Sequence, residues 1–261
     1  MGDPLPLGPA VGLLLAGGYL GAAAIARRRL RRSWPAWRTA AFLLGALAVA
    51  VALSPPVAGF AAHDARGHML QHLLLAMYAP LGLVLGAPVT LALGASSPGG
   101  RRRLVAVLGS APLRVLAHPV VAAVLDIGGL FVLYLTPLYH AAMTDPVVHH
   151  LVNLHLLLAG SLFTWSVAAV EPAPGRPGTT TRLGVLVVAA GAHAWLAKLV
   201  YARAAEPPLA GMHPVEQVQA AAQWMYYGGD VAEVALAVLV LAGWYRRQGL
   251  RQRRVARVKP A

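Results

Sequence analysis

The chain has no cysteine among its 261 residues. That absence excludes disulfides, CxxC redox chemistry, thiolate metal sites and cysteine-linked haem. Charge is scarce as well, at 12% of residues, and acidic charge is scarcer, with 9 Asp and Glu against 22 Lys and Arg. No GxxxxGK(S/T), HExxH or GxSxG run occurs, so nothing supports an ATP-driven pump, a zinc protease or a serine hydrolase. No internal repeat and no stretch of soluble-domain composition is visible.

What is present is apolar length. Hydrophobic residues make up 58% of the chain and the mean hydropathy is +0.62. Several runs reach the ~20 residues that cross a bilayer. The expectation is an all-α integral membrane protein, a single polytopic domain over residues 1–261. Seven transmembrane helices are expected, at about Leu7–Ala26, Arg38–Ser54, His68–Leu93, Pro119–His140, His149–Val170, Leu183–Tyr201 and Gln217–Tyr245. Pro80, Gly82, Gly86 and Pro88 should kink or interrupt the third. Met1–Pro6 lacks the basic start of a signal peptide, so the first run is read as a mature span.

The net charge of +13 at first suggests nucleic acid. Its distribution argues against that partner and for the lipid bilayer. Arg27–Arg29, Arg31, Arg32 and Arg38 lie between spans one and two, and Arg101–Arg103 and Arg114 between three and four. Arg176 and Arg182 lie between five and six, and the segment 246–261 is a basic tail. Excess Lys and Arg mark cytoplasmic loops. The N-terminus is then outside and the C-terminus cytoplasmic. Leu104–Ala117 reads as an interfacial helix and Glu171–Arg182 as an ordinary polar loop.

This topology gathers His63, His68, His72, His140, His149, His150, His155 and His213 near the outer face. His68 and His72 are four residues apart at the start of span three, so they share a helix face. Imidazole inside a membrane is a functional-site hypothesis by default. His149 and His155 place further imidazoles on span five, although 100° per residue turns His155 away from His149 and brings Asn153 onto its face. Imidazole with nearby thioether, of which Met69 and Met77 are the candidates, suits copper better than calcium or magnesium, with zinc an alternative. His193 with Lys198 reads as a mid-span polar pair. Asp126, Asp230 and Glu233 read as counter-ions within the membrane.

The run His68-Met-Leu-Gln-His72, Ala79-Pro80 and Leu85-Gly-Ala-Pro-Val-Thr-Leu91 resembles the signature of the CtaG family, membrane-bound assembly proteins of caa3-type cytochrome c oxidase. The resemblance continues through His118-Pro-Val120, Tyr134-Leu-Thr-Pro-Leu-Tyr139, His149 and Leu154-His155, and Gln223-Trp-Met-Tyr-Tyr-Gly-Gly-Asp230 with Glu233, covering about residues 60–245. It implies a seven-span protein of a bacterial inner membrane. Such a protein has no catalytic turnover of its own, and helps deliver copper to cytochrome c oxidase subunits. The metal ligands carried over are His68, His72, His149 and His155. Family members often carry His-x-His where this chain has Asn153-Leu154-His155, which leaves His150 or His63 as a substitute, with Met69 a further candidate ligand. Two rivals are a haem protein with His72 and His155 as axial ligands, and a CopD-like copper permease.

Overall fold

The computed structural model describes residues 7–31, 33–171, 173 and 175–258, and all its regular elements are helical. In chain order they are α1 (Leu7–Leu30), α2 (Ala36–Ala52), α3 (Pro55–His63), α4 (Ala65–His72), a π-helical segment (Leu73–Tyr78), α5 (Ala79–Leu85) and α6 (Pro88–Ala95). Then follow α7 (Pro98–Leu108), α8 (Ala111–Leu116), α9 (Pro119–Leu135), α10 (Leu138–Thr144), α11 (Pro146–Ala168), α12 (Thr179–Ala202) and α13 (Val215–Val258). Met1–Pro6 and Lys259, on which expectations about the chain's ends rested, lie outside the described residues, as do the side chains of the tail beyond Gly249.

Among the described residues, five helical stretches are long and apolar enough to cross a membrane: Gly8–Leu30, Ala65–Leu85, Pro146–Ala168, Thr179–Ala202 and Val215–Gly249. Two bent pairs raise the number to as many as seven. The α2–α3 pair bends by 51° and the α9–α10 pair by 80°. Each bend falls at a proline that the expected spans ran up to or through: Ser54-Pro55-Pro56, and Thr136-Pro137. Proline disfavours helical backbone in the residue before it, so the helix stops there and restarts.

The third span differs from the expectation. It ends at Leu85, not Leu93, because Ala87 takes a left-handed turn (φ 53°) and α6 starts separately at Pro88. Backbone groups freed inside a membrane need partners, and two of them find side chains here. The Tyr19 hydroxyl donates to the Gly86 carbonyl at 2.7 Å, and Trp34 donates in turn to Tyr19 at 2.8 Å. The Thr90 amide at the head of α6 donates to the Glu171 carboxylate at 2.7 Å. Glu171 is therefore not part of an ordinary polar loop. It is 3% exposed, and burial pushes its carboxyl above the usual range against the backbone hydrogen bond from Thr90. Arg182 is equally buried and donates to the Val167 carbonyl.

The main core lies between α4, the π segment, α9, α11, α12 and α13. On α9 and α12 the buried positions recur at helical spacing: Ala122, Asp126, Ile127, Leu130, Leu133 and Tyr134, and Leu186, Ala189, His193, Leu196, Ala197 and Val200. α1, α2 and α6 form a smaller cluster beside it. α7 and α8, in the stretch expected to lie at the interface, bury no residue. Where α2 crosses α5, Gly45 and Gly82 let the two backbones meet, and a Cβ on either would strike the other helix. Lipid offers no hydrophobic drive between helices, so such close crossings hold them by direct packing. Gly82→Leu should therefore push α2 from α5 and lower stability by about 1–3 kcal/mol. Thermal unfolding in detergent checks this, and an unchanged midpoint would contradict it.

Candidate metal centre

The geometry of the centre starts at Asp64. Its carboxylate caps α4 by accepting the Arg66 amide at 2.8 Å, and it pairs with the Arg66 guanidinium at 2.5 Å. That pairing holds the Asp64 carboxyl below the usual carboxylate range. The cap fixes the first turn of α4, and His68 and His72 follow on its inner face. The π segment begins straight after His72. Pro80 has no amide, and its ring would crowd the carbonyl four residues back, so the chain opens into a wide turn in which the Ala79 amide reaches Leu74. Single wide turns of this kind concentrate at functional sites.

His68 and His72 are 3% and 1% exposed. Among the described residues, neither ring nitrogen of His68 has a hydrogen-bond partner, and His72 Nε2 has none. His72 Nδ1 lies 3.2 Å from the Tyr134 hydroxyl, which points at Met69 Sδ at 4.0 Å. One proton arrangement satisfies both contacts: His72 Nδ1–H donates to the tyrosine oxygen, and the tyrosine O–H donates to sulfur. It leaves Nε2 as a bare lone pair. The Tyr139 ring stands edge-on to His68, with centroids 5.4 Å apart.

His193 enters the same space from α12. Its ring centroid is 6.3 Å from that of His72, its Nδ1 lies 3.3 Å from Glu233 Oε1 on α13, and its Nε2 has no partner. The expected pairing with Lys198 does not form. Five residues turn a helix by about 140°, so Lys198 lies on the exposed face with its ammonium over Tyr226 while His193 is 1% exposed. Glu233, expected as a counter-ion within the membrane, lies beside His193. Asp126 is buried on α9, and its Oδ1 has no partner. Gly229 makes the room: a Cβ there would run into the His193 ring.

The other expected ligands lie elsewhere. His155 is exposed on the outside of α11, packed over Gly129, with Nε2 3.1 Å from the Leu125 carbonyl. The inner face of α11 belongs to Asn153, which is 200° away around the helix and donates to Gln71 at 3.4 Å. His72 and His155 therefore do not face each other across a haem-sized gap. His149 is half-buried in a cleft of about 370 Å³ whose mouth lies beside Gln71 of α4, with Asp145 and Asn153. His150 is exposed beside it, and His63 is exposed with Nδ1 against its own helix at Gly59. Met69 is 1% exposed and belongs to the centre. His193, Tyr134 and Tyr139 were not among the expected site residues, although the buried stripes on α9 and α12 pass through His193 and Tyr134. Among the described residues, no three of His, Asp or Glu are grouped to hold a metal ion as a closed zinc site does.

Fold and site together define a polytopic helical membrane protein with imidazoles enclosed in its bundle. The profile of the cytochrome c oxidase caa3 assembly factor family (Caa3_CtaG) matches residues 17–247, and the chain belongs to this family. An uncharacterized protein of Mycobacterium leprae is 30% identical over 256 residues, 91% of this chain and 38% of that protein. Uncharacterized proteins of Mycobacterium bovis and Mycobacterium tuberculosis are each 34% identical over 193 residues, 71% of this chain and 29% of theirs. The chain thus spans about a third of the length of these curated relatives. No solved structure matches it.

Asp64 caps the helix that carries His68 and His72. Asp64→Ala should lower stability by about 1 kcal/mol. Because the Asp64 carboxyl is held low in the folded protein, its contribution is present above the ordinary carboxylate range and lost as pH falls through its depressed value. Unfolding midpoints from pH 7 down to 3 should therefore converge between wild type and variant at the acid end. A gap that stays constant would contradict this.

Proposed function

We propose that this chain serves the assembly of a haem-copper cytochrome c oxidase by holding copper in transit and passing it to an oxidase subunit, without catalytic turnover of its own. The observation that carries the reading is the set of buried ring nitrogens on His68 and His72 that meet no protein partner. A buried polar atom left unpaired costs about 1–3 kcal/mol. A cargo ion that these nitrogens bind would offset that cost when it is present. Imidazole beside the Met69 thioether, with no thiolate in the chain, is a donor set suited to copper. His149, in the cleft above, would meet the ion on its way in.

Counting each bent pair as one span gives seven, with the N-terminus outside and the C-terminus cytoplasmic in a bacterial inner membrane. The imidazoles of α4 then open to the outer side, and the Arg-rich segments lie opposite. His68→Ala combined with His72→Ala should abolish copper binding by the purified protein and lower oxidase activity in cells. Full copper occupancy and full oxidase activity in that variant would overturn the proposal.

A further inference from the structure

We propose that the deep seat for copper is a two-histidine clamp formed by His72 of α4 and His193 of α12, with Tyr134 and Glu233 as its positioning residues. This rests on the copper reading above and replaces span five by α12 as the second ligand helix.

The argument is one of matched halves. Each imidazole has one nitrogen engaged and the other free. His72 Nδ1 faces the Tyr134 hydroxyl at 3.2 Å, and His193 Nδ1 faces the Glu233 carboxylate at 3.3 Å. An Nδ1–H turned to an oxygen fixes the tautomer and leaves Nε2 as an unprotonated donor. Both Nε2 atoms are buried with no partner. A histidine whose far nitrogen is held by an oxygen acceptor is the arrangement that metal-binding histidines show, because the outer contact orients the ring and raises its basicity.

The spacing agrees. One metal ion bound about 2 Å from a nitrogen of each ring puts the ring centroids roughly 6 Å apart when the two bonds oppose each other. The centroids here are 6.3 Å apart. Two imidazoles without a third His or carboxylate ligand suit Cu(I), which accepts few ligands, and fall short of the four that zinc takes. Charge agrees as well. A cation enclosed in a membrane bundle needs a counter-charge, and Glu233 stands directly behind one ligand. Gly229 keeps the space in which the His193 ring sits. His68, one turn nearer the mouth, then receives the ion and hands it inward.

The test is Cu(I) affinity of the full chain in detergent, measured by competition with a chromophoric Cu(I) chelator, together with X-ray absorption of the loaded protein. The wild type should bind one Cu(I) with two nitrogen ligands. His193→Ala should weaken binding by more than about 100-fold, beyond the ~10–100-fold that loss of an outer partner costs, and Glu233→Gln should fall within that smaller range. His193→Gln, closer in size, guards against collapse of the bundle, and its helical content and unfolding midpoint should match the wild type while its affinity falls. If the His193 variants keep wild-type affinity and the two-nitrogen signature while His68→Ala/His72→Ala loses them, the clamp is wrong and the copper reading stands. A wild type that takes up no Cu(I) overturns both.

Discussion

The structure turns on enclosing imidazole in a hydrocarbon-embedded bundle while engaging only one of its nitrogens. His72 and His193 are each 1% exposed, and each has a single oxygen neighbour on Nδ1. Almost everything nearby supports that state. Asp64 starts α4 in register, the π segment sets the turn after His72, Gly229 clears the His193 ring, and Tyr134 bridges His72 to Met69. A fully engaged imidazole would be a packing residue. A half-engaged one keeps a nitrogen free to act as a donor, which is what the proposed copper seat requires.

The rest of the bundle encloses those imidazoles and supports its own helix breaks with side chains. Helices break at Pro55, Pro88 and Pro137, and breaks inside a membrane are tolerated where other groups take up the freed amides and carbonyls. Tyr19, Trp34 and Glu171 do this around α6, far along the chain from the residues they serve. The close crossing of Gly45 with Gly82 holds α2 against α5 beside the main core.

Much of this was legible in the amino-acid order. Apolar run length gave all-helical spans, and i, i+4 spacing gave the shared face of His68 and His72. The identification as a CtaG-family member is borne out over residues 17–247. Other features were not legible. The span through Leu93 broke at Ala87 because a left-handed turn depends on Tyr19 and Glu171 contacts from distant segments. His155 faced outward because Asn153 held the inner side of α11 against Gln71, a pairing between residues 82 positions apart. His193 looked like the partner of Lys198 along the chain, whereas its neighbour is Glu233 on the next helix. Periodicity carries which face is buried, but not what waits across the interface.

The most direct measurement of the central claim is nitrogen NMR of the full chain with 15N-labelled histidine, before and after one equivalent of Cu(I). The account predicts that Nε2 signals of His72 and His193, assigned by loss in His72→Gln and His193→Gln, shift on loading while those of exposed His63, His140 and His155 stay in place. Buried signals that do not move, or shifts confined to the exposed histidines, would contradict it.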